Sequence, residues 1–301
     1  MTQHHSIGEW VATTRFWSFP VSAMPIIVTF AYLFARGEVP GGLLSWCILV
    51  LSLVGVVLLH AAGNLLSDWF DYRTGVDNRE AFAVPNLVFG KFRPQEYLTL
   101  SMVLFVLGIS VGLFLVSLTG MGTLIVGLVA FVLTASYSWL KYHALGDLDI
   151  FIIFGVLTVI GLAYAVTGRW CTDALVLSLP IGIITVSVLH ANNTLDIPTD
   201  RAAGIRTFAM IIGEEAAVKL YCWYMVLPFL CVIAAVAAGL LPPLTLVSLL
   251  AGLKAYKNFR QAVGYRTVGR EAMKMLDVQS SQLQLQFSLF LTLGLIISYW
   301  L

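Results

Sequence analysis

Two short polar segments interrupt an otherwise apolar chain, and both carry amide and carboxylate side chains. The segments contribute, in chain order, Asn64, Asp68 and Asp71, and then Asn192, Asn193, Asp196 and Asp200. Residues four apart project from nearly the same face of a helix, so each Asn-x-x-x-Asp pair would point in one direction. The pairs are separated by the same 128 positions. This matched spacing predicts one site with two halves.

The chemistry that suits such a site is the binding of a hard divalent cation. Four or more convergent carboxylates would repel one another without cations. Magnesium binds oxygen ligands and commonly uses one or two carboxylates together with substrate phosphates, so two ions could bridge a diphosphate. The alternative is that each segment only ends a helix, with Asp and Asn as caps and Pro198 as a breaker. Capping imposes no matched offset, which favours the shared site.

The composition is that of a membrane protein. Of 301 residues, 59% are hydrophobic and 11% are charged, against about 25% charged in soluble domains. A net charge of +1 gives no indication of nucleic-acid binding. The N-terminus lacks a basic n-region, so we expect no cleaved signal peptide. The cysteines, without C-x-x-C spacing, are predicted to be buried small hydrophobes: Cys47, Cys171, Cys222 and Cys231.

Nine apolar stretches are long enough to span a membrane, centred near residues 26, 55, 108, 131, 157, 184, 228, 247 and 292. The least certain boundary lies at Pro242 and Pro243. With a cytoplasmic N-terminus, fifteen basic residues fall on that side and only Arg36 and Arg169 on the other. We therefore predict an all-α, polytopic bundle of nine transmembrane helices, with residues 1–301 forming one domain. Both acidic segments then lie at the cytoplasmic ends of their helices.

Other polar residues allow two interpretations each. Lys141 could neutralise a phosphate oxygen or serve as an anchor at the membrane interface. Asp147 and Asp149 are expected mainly to complement a helix dipole. His60 and His190 lie on apolar helix faces, where a histidine is more often a satisfied core residue than a ligand of magnesium.

Connections of the chain add further candidates. Arg206 lies beside the second acidic segment and could contact a diphosphate, or simply begin a helix. Two long polar connections, 68–96 and 254–284, are candidates for a lid over a polar substrate.

Four sequence blocks resemble the UbiA superfamily of intramembrane aromatic prenyltransferases. The blocks are R-F-W-S-F-P-V-S-A-M-P from Arg15, N-L-L-S-D-W-F-D-Y-R-T-G-V-D from Asn64, L-K-Y-H-A-L-G-D-L-D-I-F-I-I-F-G from Leu140, and H-A-N-N-T-L-D-I-P-T-D-R-A-A-G-I-R-T from His190. The resemblance implies a nine-helix bundle around a cavity open to lipid. It also implies an active site at the cytoplasmic end.

The resemblance further implies roles for individual residues. Two Mg²⁺ ions would be held by Asp68, Asp71, Asp77, Asn192, Asp196 and Asp200. The polyprenyl diphosphate and the acceptor would be contacted by Asn64, Asp77, Arg79, Tyr142, Asn192, Asn193 and Arg206. Catalysis would depend on Asp68, Asp71, Asp196, Asp200 and Lys141. Three positions depart from the family pattern: Phe16 replaces a proline, Ser67 an asparagine, and Val84 an arginine for which Arg79 or Arg93 could substitute.

The spacing within the first segment indicates a branch of the superfamily. The six-residue step from Asp71 to Asp77, together with K-Y-x-A-L-G-D, resembles the menaquinone branch. That branch prenylates 1,4-dihydroxy-2-naphthoate with loss of carbon dioxide, in the bacterial cytoplasmic membrane. The alternatives are another aromatic acceptor, homogentisate or 4-hydroxybenzoate, and, in a different class, a cation-coupled secondary transporter.

Overall fold

The computed structural model describes residues 5–76 and 86–301. The α-helices are α1 Ile7–Thr13, α2 Pro20–Ala35, α3 Leu43–Thr74, α4 Pro94–Thr119, α5 Met121–Tyr142, α6 Gly146–Ile150, α7 Thr158–Thr167, α8 Ser178–Leu195, α9 Ile197–Ala202, α10 Phe208–Ile212, α11 Glu214–Tyr224, α12 Leu227–Ala237, α13 Gly252–Val263, α14 Tyr265–Val268 and α15 Leu276–Trp300. The 3-10 helices are Phe16–Ser18, Thr172–Leu177, Pro243–Ala251 and Gly269–Met273, and Phe151–Leu157 is π-helical. The predicted all-α class is confirmed.

Eight helical stretches within the described ranges are long and apolar enough to cross a membrane. They are Phe16–Ala35, Leu43–Thr74, Pro94–Thr119, Met121–Tyr142, Gly146–Thr167, Thr172–Leu195, Glu214–Ala237 and Leu276–Trp300. The ninth stretch expected near residue 247 is not one continuous α-helix. Because Pro242 and Pro243 lack backbone N–H groups, the chain restarts there as the 3-10 helix Pro243–Ala251 before it enters α13.

The centre of the bundle is formed by α2, α8 and α15. Of the candidate spans, Thr172–Leu195 is the most buried and Met121–Tyr142 the least. Helix α15 packs against α2, α8 and the 3-10 helix Pro243–Ala251. Its buried face includes Leu283, Phe287 and Leu291, which fits one apolar stripe at helical spacing. The peripheral α4 and α5 expose apolar side chains outward, as helices in contact with lipid do.

The two basic residues that the charge pattern assigns to one side of the membrane lie close together in the structure. Arg36 and Arg169, the two basic residues assigned to one side, both contact the Glu38 carboxylate, at 2.7 Å and 2.6 Å. Asp68 and Asp71 lie in the last two turns of α3, which ends at Gly75 in a left-handed conformation. The structure thus brings Arg36 and Arg169 together as the charge pattern required.

Two expectations about loops and cysteines are corrected. The connection 254–284 is helical, because α13, α14, Gly269–Met273 and the start of α15 occupy it. The connection 68–96 begins with the last turns of α3, and residues 77–85, including Asp77 and Arg79, lie outside the described residues. Cys171 is buried as expected, but Cys47 is exposed on the bundle surface.

The packing of α15 against the 3-10 helix can be tested at Gly294. A Cβ atom there would lie 2.5 Å from the Leu244 carbonyl oxygen and 2.8 Å from Thr245 Cα. Because backbone atoms cannot yield cheaply, Gly294→Ala should cost about 1–3 kcal/mol of stability and lower the thermal midpoint in detergent. The matched control is Gly127→Ala on α5, where nothing lies within 4 Å. A Gly294→Ala protein as stable as this control would contradict the close approach.

Candidate functional site

A cavity of about 460 Å³, here called the central cavity, opens among the N-terminal segment, α3, α5, the α6–α7 region, α8 and α15. Its charged lining residues are Arg15, Asp68, Asp71, Lys141, Asp196 and Asp277. On α3 the lining runs from Val56 to Asp71, a separation of fifteen positions and therefore about 22 Å along the helix axis. The end near Asp71 is polar, whereas the end near Val56 is lined by an apolar cluster that includes Ile153, Phe154 and Val188.

Asp68 is neutralised by a residue from the N-terminal segment. The Arg15 guanidinium donates to its carboxylate, and Arg15 has a left-handed backbone, with φ of 54°. The turn that carries Arg15 is held by Asn64, whose Nδ2 donates to the Thr14 carbonyl at 2.9 Å and lies 3.3 Å from Ser18 Oγ. Asn64 therefore positions the segment that supplies the counter-charge of Asp68.

Asp71 is neutralised from the end of α5. Lys141 Nζ donates to Asp71 Oδ2 at 3.3 Å, and Tyr142 Oη donates to Oδ1 at 2.6 Å. Both charged side chains are almost fully buried, with 7% and 6% of their surface exposed. The buried Asp200 carboxylate also attracts the Lys141 ammonium. The interface anchor interpretation of Lys141 is therefore wrong, because its ammonium lies inside the protein.

The second acidic segment joins the same cavity, although not as one helical face. Asn192 and Asp196 line the central cavity, which α8 reaches before it ends at Leu195. Pro198 has no N–H to bond the Thr194 carbonyl, so the chain breaks at Asp196 and restarts as α9. Asp200 lies on α9, is 1% exposed, and is not among the lining residues. Two of the three side chains that the spacing placed on one face therefore line the same cavity.

Asn193 faces away from the cavity into a separate buried network. Its Nδ2 donates to Asp147 Oδ1 at 3.5 Å, and Asp147 Oδ2 lies 2.6 Å from His190 Nδ1. His190 Nε2 donates to the Ala217 carbonyl at 3.0 Å. His190 is therefore a satisfied core residue, as predicted. Asp147 lies in the first turn of α6, as the dipole interpretation predicts, and is also buried against His190. The expected contact of Asn193 with substrate is not supported.

Other expected substrate residues take different positions. Arg206 is exposed, and its backbone N–H donates to the Tyr142 carbonyl at 3.2 Å without its side chain lining the cavity. Tyr142 contributes through its bond to Asp71. Asp77 and Arg79 lie outside the described residues.

Three cavity residues were not assigned a site role from the sequence. Arg15 was counted only as a basic residue, although it opens the first block of the family resemblance. Asp277 lies in the first turn of α15, lines the cavity and interacts electrostatically with Arg15. An acidic residue at a helix start is usually explained by the dipole, so no local signal identified it. His60 was expected in the core, but its ring lines the cavity.

The donor atoms of the polar end fit magnesium held together with a phosphate substrate. Carboxylates and an amide supply hard oxygen ligands. Within the described ranges, no three His, Cys, Asp or Glu side chains form a group that could hold a metal by themselves. Magnesium sites commonly contain only one or two carboxylates, with phosphate and water completing the octahedron. The arrangement therefore suits a metal–diphosphate complex better than an all-protein cage.

Comparison with known proteins agrees with this geometry. The model of the UbiA prenyltransferase family matches residues 10–299. UbiA prenyltransferase domain-containing protein 1 of Mus musculus is 30% identical over 303 residues, covering 98% of this chain and 85% of that protein. The same protein of Gallus gallus is 34% identical, covering 75% and 69%.

Solved structures share the fold. A UbiA homolog from Aeropyrum pernix K1 superimposes with a TM-score of 0.68 at 21% identity, covering 91% of this chain and 97% of that one. A homolog from Archaeoglobus fulgidus, bound to GPP and Mg²⁺, gives 0.62 at 13% identity, covering 94% and 99%. The helical architecture and the cavity shared by both acidic segments agree with these matches. The chain belongs to the UbiA prenyltransferase family.

Proposed function

We propose that this prenyltransferase transfers a polyprenyl group from its diphosphate to 1,4-dihydroxy-2-naphthoate, with loss of carbon dioxide, in menaquinone synthesis. The observation that carries the proposal is that Asp68, Asp71 and Asp196 line one polar end of a cavity whose other end is apolar. Prenyl diphosphates have the same polarity, with an anionic head and an apolar tail. Homogentisate and 4-hydroxybenzoate are the alternative acceptors.

The charge of the central cavity supports a requirement for cations. Its lining contains four carboxylates and two cationic side chains, so its formal charge is negative before any substrate enters. A diphosphate would be repelled unless divalent cations accompanied it. We propose that two magnesium ions are held by Asp68, Asp71, Asn192 and Asp196, with Asp200 close to them. The family resemblance adds Asp77, which lies outside the described residues, as a further ligand. A bound magnesium supplies charge neutralisation for the departing diphosphate.

The chain's own residues complete the site. Lys141 lies where an ammonium can contact the diphosphate once Asp71 binds a cation, and Arg15 has the same relation to Asp68. Aromatic side chains such as Tyr137, which lines the cavity beside Lys141, can stabilise an allylic cation through their ring faces. The cluster around Phe154 lines the apolar end with side chains that offer water no hydrogen-bond partner.

The protein is an integral membrane protein, and we propose that residues 1–301 form one domain with nine crossings, a cytoplasmic N-terminus and a cytoplasmic active site. The ninth crossing would use the apolar stretch around residue 247, which contains the 3-10 helix Pro243–Ala251. The curated relatives above are animal proteins. A bacterial cytoplasmic membrane remains part of the proposal on the resemblance to the menaquinone branch.

A secondary transporter is the rival function of another class. Such proteins usually place the substrate near the bilayer midplane, between inverted repeats. Here Asp71 and Asp196 both lie near the terminal turns of their helices, at the same end of one cavity. This position favours an enzyme whose diphosphate stays near water.

The proposed reaction is tested by product analysis. Purified protein should convert dihydroxynaphthoate and a prenyl diphosphate to the prenylated, decarboxylated ring, detected by mass spectrometry, and should convert homogentisate and 4-hydroxybenzoate much less. Excess EDTA should abolish the reaction and magnesium or manganese should restore it, because the carboxylates need a counter-charge. Turnover in excess EDTA would contradict the metal requirement. Faster conversion of homogentisate or 4-hydroxybenzoate would show that the proposed acceptor is wrong.

The two halves of the site can be tested together. Asp68→Asn and Asp196→Asn should each lower the rate at saturating substrates at least about a hundredfold, as when a strong electrostatic stabiliser is removed. Since both carboxylates act on one diphosphate, the double variant should be little slower than the slower single variant. The measurement is a double-mutant cycle on initial rates, with thermal midpoints as folding controls. Fully multiplicative losses would show that the segments act independently.

Lys141 should act on the prenyl diphosphate. Lys141→Met keeps most of the side-chain volume but removes the charge, so KM for the prenyl diphosphate should rise about tenfold or more while KM for the acceptor changes little. The matched control is Lys219→Met. In the wild type the Lys219 ammonium is exposed and pairs with the Glu215 carboxylate at 3.8 Å. A rise in KM for the acceptor alone would contradict the proposed contact between Lys141 and the prenyl diphosphate.

A further inference from the structure

His60 occupies an unusual place in the central cavity. It lies on α3, eight residues before Asp68, which places its Cα about 12 Å deeper along the helix axis. The ring is tilted against Phe154, with centroids 5.2 Å apart, and Phe154 also lines the cavity. His60 therefore lies between the charged end of the cavity and the apolar cluster, farther from the end of α3 than the carboxylates.

The Nδ1 edge of His60 faces a hydroxyl whose own proton has another acceptor. His60 Nδ1 lies 2.9 Å from Ser22 Oγ, and Ser22 Oγ donates to the Phe19 carbonyl at 3.2 Å. A serine hydroxyl has one proton. We therefore assign the proton of the imidazole to Nδ1, which donates to Ser22. Because a neutral imidazole carries one N–H, Nε2 then holds a lone pair.

The Nε2 edge lacks a good donor. Ser18 Oγ lies 3.4 Å away, at the outer limit of a hydrogen bond. Its proton is donated to the Arg15 carbonyl at 2.7 Å. Ser18 lines the central cavity and Ser22 does not. The edge that carries the lone pair is therefore the edge nearest the cavity.

We infer that His60 is the base for the acceptor, taking the proton of its ring hydroxyl through Nε2. The inference rests on the proposed prenyl transfer. It deepens that function by naming the group that activates the nucleophile. The chemical class recognised is an aromatic ring with a free hydroxyl, which donates to Nε2 while its face packs near Phe154. Among the described residues, none of those proposed to hold magnesium lies within two positions of His60, whose hydrogen-bonding neighbours are Ser18 and Ser22.

The proton and electron changes balance within the proposed substrates. As the hydroxyl proton moves to Nε2, the ring oxygen becomes a carbonyl and the ring carbon forms a bond to the allylic carbon. The allylic C–O bond breaks, and the diphosphate keeps its electron pair. The carboxylate then leaves as carbon dioxide, its bonding electrons return to the ring, and the oxygen takes the proton back from Nε2. His60 is restored, and no further reactant is required.

Nitrogen NMR tests the assignment without depending on turnover. With ¹⁵N-histidine in the full chain, His60 is identified among the five histidines as the resonance pair lost in His60→Asn. The resting protein should show Nδ1 protonated and Nε2 unprotonated. Dihydroxynaphthoate without prenyl diphosphate should shift the Nε2 resonance, whereas its dimethyl ether should not. A protonated Nε2, or an Nε2 resonance unmoved by saturating dihydroxynaphthoate, would overturn the inference.

Kinetics supplies the second measurement. His60→Gln can accept a hydrogen bond but cannot hold a proton, so kcat should fall at least about a hundredfold, the usual contribution of a general base. Binding of the prenyl diphosphate should be unchanged, which excludes general misfolding. An acceptor analogue with a more acidic hydroxyl should recover much of the loss. The control is His143→Gln, since His143 Nδ1 lies 2.7 Å from the Trp139 carbonyl outside the cavity lining, and its kcat should be unaltered.

The two proposals fail in different ways. A shifted Nε2 resonance with no product from the wild type would overturn the reaction. Product formation with a wild-type kcat in His60→Gln would overturn the role of His60 and leave the reaction standing.

Discussion

The structure depends on the neutralisation of carboxylates that lie inside an apolar bundle. A buried charge without a partner costs several kcal/mol, so Asp68 and Asp71 draw cationic side chains from elsewhere in the chain. Arg15 brings the N-terminal segment to α3, and Lys141 brings the end of α5. The same contacts close the polar end of the cavity. A metal-bound diphosphate offers these four side chains new partners of opposite charge, so the ion pairs can be exchanged without leaving a charge unpaired.

The position of the charged end follows from membrane physics. Ionisable side chains are expensive at the bilayer centre and are tolerated where they face a cavity or a partner. Along α3 the lining changes from Val56 through His60 and Asn64 to Asp71, so polarity rises steadily toward the helix end. An amphipathic substrate is oriented by that gradient alone. Its tail can stay among apolar side chains while its diphosphate lies at the end occupied by charge.

The spacing of residues along the sequence predicted those features of the site that depend on helix geometry alone. The i, i+4 pairs Asn64–Asp68 and Asn192–Asp196 reach one cavity because the first pair lies within α3 and the second ends at the residue that caps α8. Asp200 does not share their helical face because Pro198 interrupts the helix, and the stretch near residue 247 is not one α-helix because Pro243 begins a 3-10 helix. The partners Arg15 and Asp277 come from distant segments, and only tertiary packing places them. A window of sequence contains no information about that packing.

The contrast between His60 and His190 shows where sequence reasoning ends. Both lie shortly before an acidic segment on apolar helix faces, and one prediction covered both. His190 has a carboxylate at one nitrogen and a carbonyl at the other, so its hydrogen bonding is complete. His60 meets two serine hydroxyls, at 2.9 Å and 3.4 Å, whose protons go to the Phe19 and Arg15 carbonyls. The two histidines therefore differ in function because the serine hydroxyls beside His60 donate their protons to backbone carbonyls. A sequence motif lists side chains and does not show where backbone carbonyl groups lie.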